Sequence, residues 1–413
     1  MGSMLERYAS IAGTDVIHHL MHLGNLLQGM KIVHVNSTRE GGGVAEILHT
    51  LVPLMQELGL ETSWEVIEGN ESFFTATKSM HNGLQGKPVE LTAEQQQAFE
   101  KVVADNAERL RNKLSSADVV FIHDPQPAPL IQMFPSRSAK WIWRCHIDSS
   151  RPHRPIWRYL RRFVNTYDAS IFSLPGFAQR LDHPQYLIPP SIDPLADKNI
   201  ELPRDEIEQV AQTFGIDPEQ PLIVQISRFD RFKDPVGVIE SYRLVKRFIP
   251  PLQVVLAGGS ATDDPEGKAV LDEVREIACG DEQIHVLELP PDAHRTINAL
   301  QRMAHIVLQK SLREGFGLTV TEAMWKHKPV IGGDVGGIRL QVVDYHTGFR
   351  VSTPEGAALR IRYLFQQHEM RVAMGEKAHD YVRDHFLITR HLREYLTLIL
   401  SLTHHQTDRI ELT

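Results

Sequence analysis

Two α/β domains in series, each a doubly wound parallel sheet, are the architecture this 413-residue sequence predicts. Three observations predict it. The length exceeds what one core usually serves and suits two domains. Short apolar runs alternate with longer helical patterns along the chain, which implies parallel strands covered by helices on both faces. Polar residues gather just after those runs, at the strand ends where open parallel sheets bind ligands.

In chain order, residues 15–27 read as an amphipathic helix laid against the first domain. The stretch from Met1 to Gly29 lacks the basic start and unbroken apolar centre of a signal peptide. First-domain strands are expected at 31–35, 63–67, 119–122, 141–145, 170–173 and 186–188, with helices such as 44–58 and 93–113 between them. The run Pro189-Pro190-Ser191-Ile192-Asp193-Pro194 reads as a stiff linker, with Ser191 to Asp193 as a hinge. Second-domain strands are expected at 222–226, 253–257, 284–287, 306–309, 330–332 and 348–351, with helices at 236–248, 265–278 and 319–326. The predicted domains are 1–195 and 196–386, and 403–413 reads as a disordered tail.

Composition narrows the function. A net charge of −8 argues against nucleic acid or an anionic membrane as partner. Cys145 and Cys279 form no CxxC pair, so neither a disulfide framework nor a zinc cluster follows, and a reducing cytoplasm is the expected home. No apolar run reaches the ~18 residues of a membrane span. Histidine is plentiful, at 21 residues, but His18 and His22 share a helix face with no third ligand, and no HExxH occurs. Asp263-Asp264 before Pro265 reads as a helix N-cap rather than a metal site, so no metal is expected.

The richest stretch runs from Ser311 to Ala323. A strand leads through Glu314-Gly315-Phe316-Gly317 into a helix from about Leu318, aiming free backbone amides and the positive end of a helix dipole at whatever sits in front. Glu314 before the helix and Glu322 inside it suit hydroxyl groups, and a molecule needing both phosphate and hydroxyl partners is a sugar nucleotide. An ordinary αβ connection with two solvated glutamates fits the same residues. Gly41-Gly42-Gly43 opens another helix and allows close backbone approach to an anion, though a tight turn explains it too. It is neither GxGxxG nor a GKS/GKT loop, so neither NAD nor ATP hydrolysis is supported. Arg228 and Lys233 could hold a departing diphosphate without a metal, while Arg231 reads as solvated. His123-Asp124 and His146 with Asp148 sit at strand ends as acid/base groups, sugar-hydroxyl ligands or simply packed residues.

Together the E-x7-E pair, the two cations and the glycine-rich turn resemble retaining glycosyltransferases of the GT-B fold, whose two Rossmann-like domains face each other across a cleft. More narrowly the chain resembles the trehalose glycosyltransferring synthases, relatives of the retaining trehalose phosphorylases. That match rests on Val33 to Thr38 with Gly41 to His49, Val66-Ile67-Glu68-Gly69, Thr77-Lys78, His81-Asn82, His123 to Pro127, Trp143 to Asp148 and Pro189 to Pro194.

The resemblance implies reversible glucosyl transfer from a nucleoside diphosphate glucose, such as UDP-glucose or ADP-glucose, to free glucose, giving α,α-trehalose. It implies that Glu314 and the amides of Gly315, Phe316, Gly317, Leu318 and Thr319 hold the donor, and that Glu322 takes ribose hydroxyls. Arg228 and Lys233 would bind diphosphate, His146 would orient the donor sugar, and Gly42 and Gly43 would lie near the diphosphate. Glu46, Lys78, His81, Asn82 and Asp148 are the implied acceptor ligands. A last helix at 387–402 packing back on the first domain, no metal or other cofactor, and a homodimer also accord with it. Asp234 stands where the family commonly has glycine. A phosphorylase using phosphate, or a non-catalytic sugar-nucleotide sensor, remains an alternative.

Overall fold

Among the described residues, twelve parallel strands form two six-stranded sheets, and each expected apolar run lies on one of them. A computed structural model describes residues 3–40, 42–259 and 265–404, with the side chains of 265 and 266 excepted. Gly41, the Asp263-Asp264 pair and the tail from 405 therefore lie outside the described residues. The chain divides into two units, Met1–Ser191 with Ile388–Thr413, and Ile192–Leu387.

In the first unit the strands are β1 (Lys31–Asn36), β2 (Glu61–Val66), β3 (Val119–His123), β4 (Lys140–Arg144), β5 (Ala169–Phe172) and β6 (Gln185–Leu187). Their order is β2-β1-β3-β4-β5-β6. The chain moves outward from β1 to β2 and then returns to β3 on β1's other side. The strand order thus reverses between β1 and β3, the point at which such sheets take ligands. The central strands β3 and β4 are almost wholly buried, as expected of strands covered on both faces. Side chains alternate: Val33, Val35, Val120, Ile122, Trp141 and Trp143 enter one core, so His34, His123 and Arg144 share the opposite face.

Helices Thr14–Leu26, Gly43–Glu57 and Ile388–Thr403 belong to the same unit. Gly24 in the first of them is required by packing, because a Cβ there would stand 2.9 Å from the Leu58 carbonyl oxygen. The final helix buries Leu392, Tyr395, Leu396, Ile399 and Leu400. His34, Phe121 and Tyr395 stack in series, with centroids 4.7 Å and 5.0 Å apart.

The second unit repeats the plan with β7 (Leu222–Ile226), β8 (Gln253–Gly258), β9 (Ile284–Glu288), β10 (Ile306–Gln309), β11 (Val330–Gly333) and β12 (Gly348–Val351). The order β12-β11-β10-β7-β8-β9 places its reversal between β7 and β10. The loops after those two strands carry Arg228 and Lys233 on one side and Glu314 on the other.

Candidate active site

At the reversal of the second sheet, two buried glutamines tie the loops together. Gln225, in β7, donates through Nε2 to the Lys233 carbonyl at 2.9 Å and accepts from the Lys310 amide at 3.0 Å. The Leu312 amide donates to the Phe232 carbonyl at 2.7 Å. Gln309, the last residue of β10, donates to Ser311 Oγ and accepts from Thr319 Oγ1 at 3.1 Å. With the two loops joined, Lys233 Nζ lies 2.6 Å from Glu314 Oε2. The same oxygen accepts from Ser311 Oγ at 3.1 Å, and Glu314 is only 8% exposed. A carboxylate so buried is held by its donors, since an unpaired one would be costly there.

Gly317, with φ of 86°, is the N-cap of the helix Leu318–Trp325. The first amides of that helix lack partners within it, so its start is electropositive. From below, the turn after β11 presses on this loop. A Cβ on Gly336 would lie 1.7 Å from the Glu314 carbonyl oxygen, and one on Gly337 would lie 2.4 Å from Phe316 Cα. The Gly337 amide donates to the Gly315 carbonyl at 3.0 Å. Gln341 adds a bond from Nε2 to the Phe316 carbonyl at 2.6 Å.

Glu322, inside the helix, is 2% exposed, with Lys198 Nζ 4.0 Å from Oε1. The neighbouring Lys326 is buried, and burial lowers its pKa. Its ammonium donates to Asn199 Oδ1, Gln301 Oε1 and the Glu322 carbonyl. Arg228 is different. Its side chain is 65% exposed and lies 3.7 Å from Asp230. Gly258 lets the strand end beneath it close up, since a Cβ there would meet the Ser227 carbonyl oxygen at 1.8 Å. Arg231 points away to Glu273, at 3.1 Å.

The first unit carries the other predicted residues. Gly42, with φ of 84°, caps the helix Gly43–Glu57, and Glu46 is exposed in its first turn. Asn36 braces the turn before it, donating to the Thr38 carbonyl and accepting from Trp64 Nε1. Lys78, His81 and Asn82 lie on the helix Glu71–Leu84, whose N-cap Asn70 accepts from the Phe73 amide. Asn106 anchors the approach to that helix through paired bonds to the Glu68 backbone.

After β4, His146 and Asp148 are half-buried, and Asp148 Oδ1 accepts from the Ser150 amide. Asp124, with φ of 64°, accepts from the His146 amide at 2.7 Å. Burial pushes its carboxyl up to about 7.

Of the roles the sequence left open for His123, the packed one fits: it ends β3, is 2% exposed, and both its ring nitrogens lie against other histidines.

Residues that the sequence reading passed over are Gln225, Gln309, Gly336, Gly337 and Asn106. The paired glycines of Gly332-Gly333 and Gly336-Gly337, just past an apolar run, were a visible signal of close backbone approach.

Residues 34–179 match the family described as trehalose synthase, N-terminal domain. Residues 206–381 match glycosyl transferases group 1. A trehalose synthase from Pyrococcus horikoshii is 48% identical over 402 residues, which cover 96% of each chain. The chain belongs to the trehalose synthase family. A trehalose phosphorylase from Pleurotus pulmonarius is more distant, 28% identical across 92% of this chain and 58% of its own length. Among solved structures, the one titled trehalose-6-phosphate from E. coli bound with UDP-2-fluoro glucose superposes with a TM-score of 0.71 at 14% identity, covering 89% and 98% of the two chains. That likeness concerns the fold, which is GT-B. Trehalose-related glycosyl transfer is the activity of this trehalose synthase family member.

Proposed function

We propose that the protein is a retaining glucosyltransferase that makes α,α-trehalose reversibly from a nucleoside diphosphate glucose and free glucose. The observation that carries this reading is Lys233 held 2.6 Å from a buried Glu314, four residues before the electropositive start of the helix Leu318–Trp325. A cation, a set of amides and a helix dipole there would stabilise negative charge as a diphosphate departs. Glu314 would orient donor hydroxyls and Glu322 the ribose, with Arg228 free to swing onto the phosphates from its exposed position. His146 would hold the donor sugar, and Gly42, Gly43, Glu46, Lys78, His81, Asn82 and Asp148 would serve the diphosphate and acceptor. No side chain is placed as a nucleophile in this scheme. The leaving phosphate oxygen takes the acceptor's proton as the new bond forms on the same face of the sugar, and no metal takes part. Similarity to trehalose synthases supports the product, and the UDP-2-fluoro glucose of the solved neighbour supports the donor class.

The test is to incubate the protein with trehalose and, separately, UDP, ADP, GDP or inorganic phosphate, with and without EDTA. Formation of a nucleoside diphosphate glucose, unaffected by EDTA, is the expected result. Glucose 1-phosphate from phosphate alone, with no turnover on any nucleotide, would assign a phosphorylase instead.

A further inference from the structure

The sheet face beneath the last helix carries a chain of imidazoles that packing alone does not require. His34 Nδ1 lies 3.0 Å from His123 Nε2, and His123 Nδ1 lies 3.0 Å from His146 Nε2. The rings are nearly parallel in succession, with interplanar angles of 27° and 20°. His34 and His123 are buried on β1 and β3, while His146 is half-buried at the end of the series.

The groups around them disfavour extra protons. Burial depresses the basicity of all three imidazoles, with His34 down to about 3; nearby Arg144 adds to the effect on His123 and His146, and His391 to that on His146. From the last helix Tyr395, His391 and the Arg390–Glu394 pair lie on the same side. Asp124 accepts a hydrogen bond from the His146 backbone amide.

A neutral imidazole has one donor and one acceptor nitrogen. Two N···N hydrogen bonds through three neutral rings therefore leave two arrangements: every ring carries its proton on Nδ1, or every ring carries it on Nε2. His34 Nε2 decides between them, because it is buried and has no hydrogen-bond partner among the described residues. Protons on Nε2 would strand an N–H donor in the core, whereas protons on Nδ1 leave a bare lone pair, the more tolerable orphan.

We propose that His34 and His123 are positioning residues that lock His146 as its Nδ1–H tautomer, making its remaining nitrogen a permanent hydrogen-bond donor to a sugar hydroxyl oxygen. The sugar ligand rests on the function proposed above; the tautomer lock does not. A fixed donor obliges the hydroxyl to accept there, so the hydroxyl proton must point to a different partner.

Histidine side chains of the full-length protein, labelled with 15N, report the tautomer directly through long-range 1H–15N correlations. The expected spectrum shows His34, His123 and His146 all protonated at Nδ1 and unchanged from pH 8 to pH 6. His123→Phe is expected to release His146 into a mixture of tautomers and to lower kcat/KM for transfer about five- to tenfold, the worth of one hydrogen bond. His123→Asn, which puts an amide nitrogen where Nδ1 was, is expected to restore both the tautomer and most of the activity. The proposal is overturned if the unsubstituted protein shows His146 protonated at Nε2. It is overturned equally if His146 keeps a single Nδ1–H form in His123→Phe. The unsubstituted spectrum decides the matter even if that variant fails to fold. An intact tautomer pattern with no turnover of any donor sugar would instead defeat the reading of the reaction and leave the lock standing.

Discussion

Asp234 sits in left-handed backbone, with φ of 50°, where glycine would be the unstrained choice. It is retained by its side chain, which caps the following helix at the Gly237 amide and pairs with the buried Lys310. Replacing it by glycine relieves about 1 kcal/mol of backbone strain but leaves a buried ammonium alone, at a cost of about 3–5 kcal/mol. Asp234→Gly is therefore expected to lose about 2 kcal/mol or more in urea denaturation, and equal stability would refute the pairing argument. Lys233 is exposed to a different test. Lys233→Ala should lower kcat about 10²–10³-fold, as does loss of one fixed charge-stabilising donor, with little change in the apparent affinity for glucose in steady-state kinetics. His34 gives a pH signature. Its pKa is lowered to about 3 from an ordinary 6.5, so the unfolded chain takes up a proton that the folded one refuses. Its contribution is present above pH 6.5 and lost as pH falls toward 3, at about 1.4 kcal/mol per pH unit. Asp124, raised to about 7, acts oppositely, its contribution present below pH 3.8 and lost as pH rises to 7. Comparing the unsubstituted protein with His34→Phe cancels that term. The stability difference should shift toward the variant by about one proton's worth per unit between pH 6.5 and 5; parallel curves would rule the effect out.

At the scale of elements, the loop 314–317 is shaped by the turn beneath it rather than by its own sequence. Gly336 combines φ of 44° with a site where a Cβ would fall 1.7 Å from backbone oxygen. Gly336→Ala must push Glu314 and the helix start out of place. Because displacements of about 1 Å can cost 10²-fold in rate, at least that loss is expected in kcat/KM, with the far-ultraviolet circular dichroism spectrum unchanged. An active Gly336→Ala variant would show that the loop is held by other means. The strands themselves were legible beforehand, since a strand buried on both faces leaves an apolar run in the sequence. Their joining was not: Gln225 and Gln309 look like ordinary polar residues inside apolar runs until β7 and β10 are neighbours.

Across the whole molecule, the chain passes from one unit to the other at Ser191–Ile192 and returns at Leu387–Ile388. The returning helix, Ile388–Thr403, buries Leu392, Tyr395, Leu396, Ile399 and Leu400 with the first unit. Each such side chain is worth about 1.5–3 kcal/mol, and together they approach the 5–15 kcal/mol stability of a typical domain. Truncation after Leu387 is therefore expected to yield insoluble protein or protein without a cooperative unfolding transition; a soluble truncate with a normal transition would show the helix to be dispensable.

Sequence alone determined the alternation of strands and helices, and it marked Arg228, Lys233, Glu314 and Glu322 as chemistry-bearing residues. Those features are local: a period, a glycine beside a helix start, a charge at a strand end. Only the tertiary structure decided that Lys233 meets Glu314 across 81 positions and that His123 is buried between two other histidines rather than displayed. It also decided that a glycine turn after β11 props the Glu314 loop. Each depends on which strands become neighbours and which helix covers them, and chain order does not encode that spatial order when a doubly wound sheet reverses direction.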